Sequence, residues 1–160
     1  MYVVDGDDRV IELSDVPQSS VGSPWPVVVA TEHGVAIGYE SEELTALELT
    51  AVRRLGPQDR AEVSAIISFP AYAHLFGPPN DEAFGGHPLF ARGLRPYGAF
   101  EVLNSSWVRA LERMNRVHPN HQRERHLRRR HFVLSFHDST FECVADRYEP
   151  HLVSGTRQAL

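Results

Sequence analysis

Two side chains able to do proton chemistry sit five residues apart in the stretch 131–146, HFVLSFHDSTFECVAD: His137 and Glu142. A carboxylate beside an imidazole makes it more basic and fixes its tautomer, which general-base work needs. The stretch reads as a β-hairpin turning at Asp138-Ser139, whose short polar side chains bond back to the backbone. With that turn His137 faces Thr140 and Ser135 faces Glu142. His137 and Glu142 then become diagonal neighbours, roughly 7–8 Å apart at Cβ. The expected roles are His137 as general base and Glu142 as the acid that orients it. On the outside of a sheet the same pair would simply face solvent, but Val133 and Val144 on that face point to burial.

A second set of candidates lies in residues 71–97: His74, Asp81, Glu82, His87 and Arg92. Gly85 and Gly86 precede His87 and allow a ligand to approach the backbone closely. Arg92 offers a bidentate clamp for a carboxylate or phosphate. Glu101, on an expected strand at 99–103, joins this ligand-binding set. Three residues of the loop with His137 would make a metal site of nitrogen and oxygen ligands, but the spacing matches no metal signature, with neither HExxH nor a cysteine pair. No metal and no cofactor are therefore expected. His118, His121, His126 and His131 follow one another at offsets of 3, 5 and 5, which do not share a helical face. Their arginine-rich surroundings would also repel a cation. Cys143 falls on the apolar face of the hairpin, where a thiol stays protonated and inert. Ser139 has no GxSxG elbow around it, and neither GxxxxGK[ST] nor GxGxxG occurs.

The hairpin's alternation specifies which side chains share a face. Phe132, Leu134, Phe136, Phe141, Cys143 and Ala145 make one face. His131, Val133, Ser135, His137, Thr140, Glu142, Val144 and Asp146 make the other. Upstream, 1–4 and 10–13 read as two short strands around an Asp-Gly-Asp-Asp turn, and 27–30 with 35–39 as a second hairpin around Glu32-His33-Gly34. Residues 41–55 fit both a helical stripe and a strand; a turn at 56–59 and a strand at 61–69 favour the strand. Residues 71–97 show no period and carry many glycines and prolines. Their scattered aromatics and leucines predict an ordered loop packed by its own side chains, with a helical turn starting at 80–82. After strand 99–103, Asn104, Ser105 or Ser106 caps a helix near 105–117 whose stripe is Trp107, Val108, Leu111 and Met114, with Glu112 facing outward. Residues 120–130 read as an exposed short helix or loop, and 149–160 as a loose C-terminal tail.

These elements predict a single α+β domain over 1–160. It is a mostly antiparallel sheet, curved or folded into a small sandwich, with the Trp107 helix packed on it; a closed barrel is the alternative. Net charge is −5, unevenly spread. Residues 1–50 hold ten acids and one arginine; residues 105–131 hold eight arginines and two acids. All 16 basic residues are arginine, so Schiff-base and lysine-base chemistry is excluded. A single cysteine, an acidic N-terminus and no apolar run near the roughly 18 residues of a membrane span predict a cytoplasmic protein without membrane contact. The function expected is a small-molecule site for an anionic ligand, extending to acid/base catalysis. The alternative is protein–protein interaction or homo-oligomer formation through the acidic and arginine-rich regions. Nucleic acid ranks last as a partner, given the overall acidity.

Overall fold

The computed structural model describes residues 2–21, 24–41 and 62–155. The ambiguous stretch after Ser41 and the turn at 56–59 lie outside the described residues. The fold is α+β, built on two open antiparallel sheets. The first sheet has five strands in the order β1 (Arg9–Glu12), β6 (Gly98–Leu103), β7 (Arg130–Ser135), β8 (Thr140–Ala145) and β5 (Ala71–Gly77). The second has four, in the order β2 (Val27–Thr31), β3 (Gly34–Glu40), β4 (Glu62–Phe69) and β9 (Glu149–Gly155). Among the described residues each sheet keeps two edges, so they form a sandwich and not a closed barrel.

The β7–β8 hairpin is the centre of the molecule and is buried on both faces. Phe132, Leu134, Phe136, Phe141 and Cys143 pack against Val35, Ile37, Tyr39, Ala65, Ile67 and Phe69 of the other sheet. Each of those fully buried phenylalanines contributes about 1.5–3 kcal/mol. On the opposite face Val133 and Val144 join a second core with Phe84, Leu89, Leu94, Trp107 and Val108. That core is roofed by α1 (Ser106–Asn115) and by two short 3-10 turns, Phe84–Gly86 and Phe90–Arg92. A short helix, α2 (Arg123–Leu127), follows α1. No helix among the described residues is long and apolar enough to cross a membrane.

Several expectations need correction. Residues 2–8 form no strand, and β1 pairs with β6 instead. Ala71–Gly77, expected within the loop, is edge strand β5, interrupted by an irregularity between Ala71 and Ala73. Glu149–Gly155, expected in a loose tail, is β9, laddered along β4. In α1, Glu112 is buried and Met114 exposed. The chain after the helix folds back so that His121 meets Glu112.

The hairpin's faces are as expected, but its register differs. The Phe136 N–H donates to the Ser139 carbonyl at 2.9 Å, so the turn residues are His137-Asp138. Val133 therefore stands opposite Glu142, and Ser135 opposite Thr140. Moving a turn by one residue shifts the ladder by two, which changes every neighbour and leaves every face intact.

Candidate functional site

The true register makes His131, not His137, the diagonal neighbour of Glu142. The His131 Nε2–H donates to Glu142 Oε2 at 2.9 Å. Its Nδ1 lies 2.9 Å from the Ser105 hydroxyl. Ser105 is the N-cap of α1 and accepts the Val108 N–H at 3.2 Å, as short hydroxyl side chains do at this position. Its own proton is thus left to donate to His131 Nδ1.

Two further donors reach the same carboxylate. His87 Nδ1 accepts the Leu89 N–H at 3.1 Å. Its proton therefore sits on Nε2, which is 3.3 Å from Glu142 Oε1. The Tyr2 hydroxyl donates to Oε2 at 2.5 Å. The Tyr2 ring stacks on Trp107 with centroids 5.3 Å apart and stands edge-on to His131. The N-terminal segment that carries Tyr2 is itself pinned to α1. Asp8 accepts the Ser106 N–H at 2.7 Å, and Asp5 pairs with Arg109. A carboxylate on the first turn of a helix is favoured by the helix dipole.

Electrostatics follow from burial. Desolvation alone would push the Glu142 carboxyl up, but hydrogen bonds from His131, His87 and Tyr2 and the electrostatic attraction of the His131 ring overcome it and hold the group at about 2. Burial, then the negative charge of Glu142, pushes the Tyr2 phenol up. A carboxylate whose folded value lies below its ordinary 4.5 stabilises the fold fully above that value. The contribution is lost as pH falls from about 4.5 towards 2. In acid titrations followed by circular dichroism, wild type is expected to lose about 3 kcal/mol from this group over that interval. The Glu142→Gln variant starts less stable and shows a correspondingly weaker dependence.

Glu142 fastens two separate pieces of chain to the sheet: the N-terminal segment through Tyr2 and the 84–94 loop through His87. Between those pieces lies a cleft of about 570 Å³ lined by Tyr2, Val3, Val4, Pro88, Ala91 and Arg92. Arg92 ends the second 3-10 turn and is exposed. Its charge acts on Asp5, but no hydrogen bond or ion pair holds its guanidinium among the described residues.

Of the residues expected at the site, Glu142, His87 and Arg92 come together here. The others do not. His137 sits in the hairpin turn, where its Nδ1 is 3.0 Å from Asp81 Oδ2, so the expected His137–Glu142 pair does not form. Glu82 is exposed beside Asp81. His74 is exposed on edge strand β5. Glu101 is taken up by Arg130 in a bidentate pair at 2.9 and 2.6 Å. Tyr2, Ser105 and His131 were missed as site residues. His131 shares the face of Glu142, which was the available signal; Ser105 reads only as a cap, and Tyr2 carries none. No group of three or more His, Cys, Asp or Glu placed to hold a metal ion occurs among the described residues. Four arginines of 105–131 pair within the chain: Arg109 with Asp5, Arg116 with Glu112, Arg129 with Asp146 and Arg130 with Glu101. Compared with models of protein families, with curated proteins and with solved structures, the chain matches none of them.

Proposed function

We propose that this protein binds a small anionic molecule in the cleft between residues 2–4 and 88–92, with Arg92 as its charged contact. The observation that carries this reading is the position of Arg92. A guanidinium with no hydrogen-bond partner among the described residues stands on the rim of a cleft whose two walls are both fixed by Glu142. Fixed walls reduce the ordering cost that binding would otherwise incur. The Val3, Val4, Pro88 and Ala91 side chains supply apolar contact, and the guanidinium supplies directional recognition of a carboxylate or phosphate. Docking of a protein partner through the arginine-rich segment is the weaker reading, because half of those arginines already pair within the chain.

Isothermal titration with malonate and with inorganic phosphate tests the proposal. Wild type is expected to give saturable binding with at least one of them. A charge-assisted hydrogen bond contributes about 1.5–3 kcal/mol, so Arg92→Ala should weaken that binding by about 10- to 100-fold. Its melting temperature should not change, since the side chain is exposed. Absence of saturable binding to either probe, or an Arg92→Ala variant that binds as tightly as wild type, would overturn the reading.

A further inference from the structure

The turn of the central hairpin holds a second arrangement, apart from the cleft. The loop after β5 is tied to it by backbone: the Asp81 N–H donates to the His137 carbonyl at 2.9 Å, and the Thr140 hydroxyl donates to the Pro79 carbonyl at 2.9 Å. Side chains then converge. The Tyr97 hydroxyl donates to Asp81 Oδ2 and lies 2.8 Å from His137 Nδ1, which is itself 3.0 Å from Asp81 Oδ2. Tyr97 and His137 stack, with centroids 6.3 Å apart. Tyr97 holds φ +58°, in the left-handed region. Such a backbone is unfavourable for a non-glycine residue and persists only where its surroundings enforce it.

The result is an imidazole fixed at one nitrogen and open at the other. With Asp81 accepting from Nδ1–H, the Nε2 lone pair points away from the carboxylate. The nearest acid on that side, Asp138 Oδ1, is 3.9 Å distant, and the His137 side chain is 42% exposed. Hydrogen bonding to Tyr97 keeps Asp81 below the ordinary carboxylate range, and Asp81 in turn pushes Tyr97 up to about 12. Asp81 therefore stays an acceptor and Tyr97 a donor at neutral pH.

The geometry assigns His137 Nε2 as a general base, with Asp81 and Tyr97 as the positioning residues that fix its tautomer. Asp81 and Asp138 flank it, so the substrate class is neutral or cationic and not anionic, unlike the ligand proposed for the cleft. For a neutral ester the step is balanced with water alone. Water gives a proton to Nε2 as its oxygen bonds to the acyl carbon. The bond from that carbon to the leaving oxygen breaks, the alcohol departs as its anion, and Nε2 returns the proton to solvent.

The test uses p-nitrophenyl acetate as probe, with long-range proton–nitrogen NMR on the same protein. General-base contributions of at least about a hundredfold are usual. For an unoptimised probe His137→Gln should lower the second-order rate constant by about tenfold or more, as a conservative floor. His74→Gln, which removes a histidine exposed on edge strand β5 with no orienting carboxylate among the described residues, should leave it unchanged. In wild type the NMR should find His137 protonated at Nδ1 when neutral, and Asp81→Asn should lose that preference together with rate. Wild-type hydrolysis by His137→Gln, or a wild-type His137 protonated mainly at Nε2, would overturn the assignment. The NMR result stands on the unaltered chain, whatever the variants' folding.

Discussion

Replacing Glu142 with alanine is expected to cost about 3–5 kcal/mol of folding stability, the usual loss when one partner of a buried charged network is removed. The side chain is the common acceptor for His131, His87 and Tyr2, all of them buried. Without it, three buried donors lose their acceptor, and each such orphan is costly. For a domain of this size that loss lowers the melting temperature by about 10 °C or more. Glutamine does not rescue it. Its amide presents donors where the network supplies only donors, so Glu142→Gln is also expected to destabilise, though by less than alanine because it leaves no cavity. Urea denaturation of the three proteins at neutral pH reads the series directly. Equal midpoints would mean that the network is replaceable by solvent and that Glu142 does not hold the two walls of the cleft.

His131→Ala is expected to be nearly as damaging, by about 3–5 kcal/mol. The ring is completely buried, bonded at both nitrogens, and contacted by Tyr2 and Trp107. Its removal opens a cavity, deprives Glu142 of its best donor and leaves the Ser105 hydroxyl proton without an acceptor. The two losses share a cause, so they should not add. Residues in direct contact show interaction energies of about 0.5–3 kcal/mol, and the Glu142→Ala/His131→Ala double variant should fall short of the sum of the singles by an amount in that range. Strict additivity in a chemical denaturation cycle would show that the two side chains act independently.

The sequence reveals the hairpin's faces because alternation is a property of neighbouring residues. Register is not local in the same sense. Asp138-Ser139 and His137-Asp138 are equally suitable as turns by residue type, and the two choices differ by two positions in the ladder, which alternation cannot detect. Contacts from far along the chain accompany the observed choice: Asp81 and Pro79 hold the backbone and side chains of the turn. That one displacement moves the partner of Glu142 from His137 to His131 and gives His137 the carboxylate of Asp81 instead. Both expected proton-chemistry residues therefore sit beside a suitable partner, each a different one from that expected. Edge strands were the other loss. In β5 most side chains are exposed, and β9 carries Pro150, Glu149 and His151, so neither shows the half-buried alternation that marks a strand. Residues 2–4 fail in the opposite sense. Tyr2 is buried and Val3 is exposed, a genuine alternation produced by packing across α1 and the loop with no ladder partner.

An anion held in the cleft that Glu142 keeps in shape must leave its mark on the residues lining that cleft. In an NMR titration of the labelled protein with malonate, the backbone amides that shift should cluster at Val3, Val4, Ala91, Arg92 and Gly93. Shifts confined to the arginines of 123–130, or scattered without saturation, would contradict it.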